Sequence, residues 1–236
     1  MTGAPSRLEA RQARIEQLHR SVAGGTALLV VDMQRGFLDP GASLFVPAGL
    51  GIVGNVARLI ATCRDHAVPV IFTEFVYSET VPCLRGDPFG PEHLPAVPSA
   101  PTGFGHPSSN CLIGPRAGQD AESAETIDEL KPRPDELVVR AHTYDKFYGT
   151  PLDLALRCRG INRLLVTGVT TDVCVNSTVL AAANRNYRVT VVTDGVATLD
   201  DAIQQACFRI WQNKFARLRA IEELVAELKA MYTARD

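Results

Sequence analysis

Five short apolar runs without polar alternation limit the fold of this chain more than any other feature. Segments with helical spacing follow most of these runs, which span residues 26–32, 68–75, 136–140, 163–168 and 188–194. Apolar strands of this kind are typical of a parallel sheet that is covered on both faces, and their alternation with helices favours right-handed crossovers. The pattern therefore predicts an α/β fold built on a parallel sheet.

The other regular segments have the spacing of helices, and one long segment has no period at all. Helices are predicted at residues 6–22, 51–66, 151–160, 174–187, 201–215 and 216–231. The segment from about 76 to 123 holds eight of the fifteen prolines, and such irregular segments are often lids or binding loops. We therefore divide the chain into an N-terminal helical extension, residues 1–24, and a single domain, residues 25–236, with an irregular loop at about 76–123.

Composition excludes several classes of function. The chain has 236 residues, of which 46% are hydrophobic and 21% charged, with a net charge of −2. This near-neutral balance argues against nucleic acid or an anionic membrane as the main partner. No apolar run reaches the roughly 18 residues of a membrane span, and the N-terminus lacks the apolar core of a signal peptide. The six cysteines are scattered without a CxxC pair, which is typical of reduced thiols and predicts a cytoplasmic location.

Three chemically capable positions fall at the carboxyl ends of predicted strands, where parallel α/β folds bind ligands: Asp32, the segment 141–148, and Cys174. Cys174 lies where a strand turns into a helix, and the first turn of a helix favours a thiolate, the nucleophilic form. Asp32 closes an apolar strand, where partial desolvation makes a carboxylate a useful base. A structural core cysteine and a capping aspartate are the alternatives that stay open.

At these residues the chain resembles the isochorismatase-like cysteine hydrolases. The resembling strings are VVDMQRGF (30–37), FYGTPLDLALRCRGINRLLVTGVTTDVCVNST (147–178) and VVTDGVAT (191–198). The resemblance implies a three-layer α/β/α sandwich around a parallel six-stranded sheet. It also implies an Asp-Lys-Cys triad in which Asp32 is the aspartate and Cys174 the nucleophile. Because the cysteine is retained, the chain resembles the amide-hydrolysing branch rather than the isochorismate-cleaving enzymes.

The lysine of that triad is where the chain departs from the family pattern. The pattern puts a lysine at the end of a strand, upstream of the threonine of a Phe-x-x-Thr element, and the corresponding position before Thr150 is Ala141. Lys146 could have taken the role from a shifted position. Alternatively, the chain could be a disabled variant in which alanine replaces lysine. We favour the second explanation, because the ungapped match puts Ala141 at the strand end, and we therefore expect weak activity or none.

The resemblance implies that Cys174 attacks a carboxamide or ureido carbonyl, forms a thioester and releases ammonia. Backbone N–H groups of Thr170 and Cys174 would hold the oxyanion, and the family often has a cis peptide bond before the residue matching Thr170. Two other functions stay open. The first is an isochorismatase-type vinyl-ether hydrolase, against which the thiol counts. The second is a non-catalytic binding scaffold, to which Ala141 gives some weight.

The expected substrate pocket is lined by Phe37, Glu74 and Tyr148 together with the irregular loop. We expect no cofactor and no metal, because the stretch after the second strand lacks the histidines of the nicotinamidase metal site. His93 and His106 lie far along the loop, without ligand spacing. The expected partner is a small amide or ureido substrate. Apolar stripes on the first and last helices predict a homodimer or homotetramer.

Overall fold

The part of the chain that the structure describes folds around one sheet of six parallel strands. The computed structural model describes residues 6–78, 110–114 and 121–233. The order across the sheet is β3-β2-β1-β4-β5-β6. The strands are β1 (Thr26–Val31), β2 (Val70–Phe75), β3 (Leu137–Ala141), β4 (Arg163–Val169), β5 (Arg188–Ala197) and β6 (Ala216–Arg219). Helices lie on both faces of this sheet, which confirms the predicted three-layer α/β/α fold.

The helices connect successive strands and flank the sheet. They are α1 (Arg7–Leu18), α2 (Arg35–Leu38), α3 (Pro47–Leu50), α4 (Val53–Asp65), α5 (Leu152–Cys158), α6 (Asn176–Asn184), α7 (Asp201–Ile210) and α8 (Ile221–Thr233). Single π-helical turns at Thr171–Val175 and Trp211–Phe215 precede α6 and follow α7. None of the helices in the described ranges has the length and apolar character that a membrane span requires.

Strand β1 is buried along its whole length because its side chains alternate between two separate cores. Leu28 and Val30 pack into the core beneath α4 and α8. Leu29 and Val31 pack into the core on the opposite face, beneath α5 and α6. A strand between two cores needs an apolar residue at every position, which explains the unalternating sequence.

The prediction of a helix over residues 216–231 is wrong at its start, where β6 forms and α8 begins only at Ile221. Four residues are too few for a strand period to show. Arg217 of β6 is buried, and it donates hydrogen bonds to the Glu227 carboxylate of α8 at 2.8 and 2.9 Å and to the Thr190 hydroxyl of β5 at 3.1 Å. These partners compensate the burial of a charged side chain in the sheet.

The apolar side of α8 is buried within the domain, so the expectation that this stripe is left for a partner subunit is wrong. Its buried members are Ile221, Leu224, Val225 and Leu228. They belong to the core that α4 and β1 share, and α4 and α8 lie against each other. The last helix is therefore part of the sandwich itself.

Strand β4 lies close against β1 at Gly168, which pairs with Val31. Gly168 has a φ of +121°, and a Cβ at this position would overlap the Val31 carbonyl oxygen. Glycine satisfies both constraints because it has no Cβ and tolerates positive φ. Successive strands are added on one side of β1, as β2 and β3, and on the other side of β4, as β5 and β6. The order of the strands therefore reverses between β1 and β4, and sheets of this kind bind ligands in the crevice at the carboxyl ends of such a pair.

We predict that Gly168→Ala destabilises the fold by at least about 3 kcal/mol, because backbone strain and steric overlap add at this position. The midpoint of urea unfolding, followed by circular dichroism, measures the effect. Gly54→Ala in α4 is the matched control, since a Cβ there meets no atom within 4 Å. Alanine at Gly54 should be neutral or slightly stabilising. Equal stability of the two variants would contradict the prediction.

Candidate active site

Three reactive side chains meet at the carboxyl ends of the central strands. Asp32 follows β1, Lys146 lies in the turn after β3, and Cys174 lies in the π-helical turn after β4. Asp32 and Lys146 are fully buried, and Cys174 is 5% exposed. The sheet thus brings together the two residues predicted from strand ends and one lysine from a connecting turn.

The Asp32 carboxylate is held by partners on two sides. The Thr73 hydroxyl of β2 donates to Asp32 Oδ1 at 2.6 Å, and Lys146 Nζ lies 2.7 Å from Asp32 Oδ2. The backbone of Asp32 has a φ of +51°, a left-handed conformation that aspartate tolerates better than most residues. The chain thus leaves the sheet sharply at Asp32, and the carboxylate stays between β2 and the turn after β3.

The Lys146 ammonium is surrounded by groups that favour its positive charge. Besides Asp32, it contacts the Thr143 carbonyl oxygen, to which it donates at 2.9 Å, and the Phe75 ring, whose centroid lies 5.1 Å from Nζ. A cation over an aromatic face is attracted by the negative charge density of the ring. The ammonium is therefore a fixed, buried positive charge beside the carboxylate.

This position of Lys146 corrects the expectation that Ala141 marks a missing lysine. Ala141 is the last residue of β3, pairs with Phe75 of β2 and is 7% exposed. The lysine reaches Asp32 from five residues further along because the chain turns back over the strand end. The Thr178 hydroxyl of α6 makes two hydrogen bonds to the backbone of this turn. It accepts from the Lys146 N–H at 3.3 Å and donates to the Tyr144 carbonyl oxygen at 3.2 Å.

The Cys174 thiol has a pKa well above its ordinary value. Burial is the largest cause, and the negative charge of Asp32 adds to it, while Lys146 and a hydrogen bond with the Thr170 backbone act in the opposite direction. The expectation that the helix start favours a resting thiolate is therefore corrected, because desolvation outweighs the helix end. The peptide bond between Val169 and Thr170 is cis, as the resemblance implied. A protonated resting thiol needs a base during attack, and Asp32 is the carboxylate within hydrogen-bond reach.

Gln34 fixes the chain beyond Asp32. Its side chain continues the pairing of β1 with β2: the Phe75 N–H donates to Gln34 Oε1 at 2.7 Å, and Gln34 Nε2 donates to Phe75 O at 2.9 Å. The same amide donates to Ala124 O at 2.8 Å. Gln34 is fully buried, so its amide group substitutes for backbone hydrogen bonds that the turn at Asp32 interrupts.

The three residues expected to line the pocket have different environments. Phe37 is buried, and its ring centroid lies 6.4 Å from that of Phe75, next to the lysine. The Glu74 carboxylate is engaged in hydrogen bonds with neighbouring protein groups. It accepts from the Thr126 N–H and hydroxyl at 3.0 Å and from Arg140 Nε at 2.7 Å. Tyr148 is 55% exposed. Of the three, Phe37 is linked to Lys146 through the Phe75 ring, which lies beside the ammonium.

Within the described ranges, no group of three or more His, Cys, Asp and Glu side chains could hold a metal ion. His93 and His106 lie outside the described residues, as does most of the loop predicted at about 76–123. Five cysteines fall inside these ranges, and all are free thiols.

Sequence reasoning missed two contributors to the site, Thr73 and Phe75. Both lie on the apolar run of β2, in which Thr73 is a polar residue that directly follows three apolar residues, Val70, Ile71 and Phe72. A threonine in a fully buried strand must place its hydroxyl on a partner, which was a usable sign. No sequence signal indicates that the Phe75 ring lies beside the lysine.

The chain matches the model of the isochorismatase domain over residues 26–223. It is 30% identical to a ureidoacrylate amidohydrolase RutB of Variovorax paradoxus, over 94% of this chain and 87% of the relative. It is 32% identical to the enzyme of that name from Pseudomonas savastanoi pv. phaseolicola, over 88% of this chain and 84% of the relative. Among solved structures, N-carbamoylsarcosine amidase from Thermoplasma acidophilum superposes with a TM-score of 0.62 at 28% identity, over 84% of this chain and 97% of that one. The chain therefore belongs to the isochorismatase family, in the branch that contains these amidohydrolases.

Proposed function

We propose that this protein is a cysteine-dependent amidohydrolase that cleaves the C–N bond of a small amide or ureido compound and releases ammonia. The observation that carries the proposal is the convergence of a buried aspartate, a buried lysine and a cysteine at one crevice. A nucleophile beside a base that a third group holds in place is the arrangement that nucleophilic catalysis requires. The names of the relatives, ureidoacrylate amidohydrolase and N-carbamoylsarcosine amidase, support a ureido or carbamoyl group in the substrate.

In the proposed reaction, Asp32 accepts the thiol proton as the Cys174 sulfur attacks the carbonyl carbon. The negative oxygen of the tetrahedral intermediate lies against the backbone N–H groups of Thr170 and Cys174, at the start of a helical turn where such groups lack partners within the helix. Asp32 then gives its proton to the departing nitrogen, and the C–N bond breaks. Ammonia is released, and a thioester remains on Cys174. Water attacks the thioester as Asp32 takes one of its protons, and the C–S bond then breaks to release the free acid. Asp32 returns the proton to the Cys174 sulfur, which restores the thiol.

Lys146 has an electrostatic role in this proposal. Its positive charge opposes the rise in the Cys174 pKa, so it stabilises the thiolate that attack generates. Because a lysine does face Asp32, the contact counts against the disabled form of the fold that Ala141 had suggested.

We predict that Cys174→Ala abolishes ammonia release and the covalent acyl-enzyme, because the Cys174 thiol is the one that hydrogen-bonds Asp32 within the described ranges. Ammonia production from a panel of ureido acids and simple carboxamides measures the first, and intact-protein mass after rapid acid quenching measures the second. Cys158→Ala is the matched control, since Cys158 is exposed. That variant should keep full activity. Ammonia release by Cys174→Ala at the wild-type rate would refute the proposed nucleophile.

We predict that Lys146→Met lowers the rate of amide hydrolysis by about 10² to 10³, the usual effect of removing a charged group that stabilises a transition state. Ala141→Lys should give no gain, because position 141 is buried at the end of β3 and the lysine contact is already made. Thermal unfolding of each variant shows whether the loss is catalytic or structural. A tenfold increase on Ala141→Lys, with little loss on Lys146→Met, would favour the position given by the family pattern.

We also propose that the protein is a cytoplasmic homo-oligomer, and that α7 provides the contact surface rather than α8. α7 has a single buried residue, Cys207. Three large apolar side chains lie exposed on or just before the helix: Leu199 at 57%, Ile203 at 46% and Ile210 at 49%. Ile203 and Ile210 are two turns apart on one face, so a second copy would cover them together.

Light scattering at micromolar concentration should give a mass at least twice the 25.5 kDa of one chain. Ile203→Glu combined with Ile210→Glu should shift the protein toward the monomer, because a charge at each position would be buried in the interface. Leu50→Glu on α3 is the control, since Leu50 is similarly exposed at 48% but lies far along the chain from α7. A monomeric wild-type protein would contradict the proposed assembly.

A further inference from the structure

The Asp32 carboxylate has two oxygens in unlike environments. Oδ1 accepts the Thr73 hydroxyl proton at 2.6 Å, the short distance of a charge-assisted hydrogen bond. Oδ2 lies 2.7 Å from Lys146 Nζ, an ion pair that occupies one side of this oxygen. One oxygen is therefore committed, and the other has lone pairs open for a proton.

Thr73 is placed to determine this difference. It is 1% exposed and sits between Phe72 and Glu74 on β2, where Val31 of β1 is its strand neighbour. The Asp32 N–H is shared between the Thr73 carbonyl oxygen at 3.1 Å and the Thr73 Oγ1 at 3.3 Å. One threonine thus contacts both the backbone and the side chain of the aspartate. Its hydroxyl can donate only one hydrogen bond, and that bond goes to Oδ1.

We propose that Thr73 is a positioning residue for the reaction: its hydroxyl fixes the rotation of the Asp32 carboxylate, so that Oδ2 is the atom that accepts the Cys174 proton. This inference rests on the proposed function, because it assigns a role within the same site. Without the hydroxyl, Lys146 alone holds the carboxylate, which is then free to turn about its Cβ–Cγ bond, and Oδ2 loses its alignment with the thiol. The proton transfer itself is unchanged in kind, with the S–H bond broken and an O–H bond formed on Oδ2.

The test compares Thr73→Val, which removes the hydroxyl and keeps the branched shape, with Thr73→Ser, which keeps the hydroxyl. Thr73→Val should lower kcat for ammonia release by about 10- to 100-fold, the cost of a misplaced catalytic group, and leave KM within about twofold. Thr73→Ser should stay within about threefold of wild type. Thr167→Val on β4 is the matched control, because Thr167 is also fully buried and its hydroxyl contacts Leu29 O at 3.4 Å.

A second readout needs no substrate. The rate at which iodoacetamide alkylates Cys174 is measured against pH in a Cys158→Ser background, with the labelled site identified by mass spectrometry. The titratable groups that face Asp32 in the described part of the chain are Lys146 from the turn after β3 and the thiols of Cys174 and Cys111. Across this profile Cys174 should be alkylated more slowly in Thr73→Val than in wild type, and not in Thr73→Ser, because the base that takes the thiol proton is no longer fixed in Thr73→Val.

The proposal is overturned if Thr73→Val retains kcat within threefold, if Thr73→Ser is as impaired as Thr73→Val, or if Thr167→Val loses as much activity. An unchanged alkylation rate in Thr73→Val also overturns it. If the wild-type protein hydrolyses no amide in the panel, the proposed function fails, and the alkylation profile still decides the role of Thr73.

Discussion

The buried ion pair between Asp32 and Lys146 is the interaction on which the arrangement of the site depends. Removing one member of such a pair leaves an uncompensated buried charge, which costs about 3–5 kcal/mol. Apolar residues of similar volume would fill the same space without that risk, so the pair is better explained by chemistry than by stability. It joins the end of β1 to the turn after β3 and sets the charge around Cys174.

Much of the sheet could be predicted from the sequence because of the two cores. A strand that faces a core on each side must be apolar throughout, and the runs at β1 and β4 show this directly. Asp32 and Cys174 could be predicted because each follows such a run, where the sheet opens to ligands. Strand β6 could not be predicted, because its four residues, ARLR, have the composition of the start of a helix. The burial of Arg217 in a strand is explained only by its ion pair with Glu227 of α8, which the sequence does not reveal.

Lys146 illustrates a different limit of sequence reasoning. Its position in the chain differs from the strand end at Ala141, and its contact with Asp32 depends on the path of the intervening turn. That path is fixed by long-range partners such as Thr178, which lies 32 residues away. Local patterns contain no signal for such contacts. The same limit applies to Thr73, because its hydroxyl can be assigned to Asp32 only once β1 and β2 are known to be neighbouring strands.

The raised pKa of Cys174 has a consequence for the survival of the protein under oxidative conditions. Peroxides oxidise thiolates to sulfenic and higher acids, and susceptibility follows both thiolate character and exposure. Cys174 is buried and its pKa lies well above the ordinary value, so the resting side chain is a poor target for such damage. In the proposed reaction, the sulfur becomes nucleophilic as Asp32 takes the thiol proton. The same burial that makes the proposed reaction depend on a base thus protects the Cys174 sulfur from oxidation.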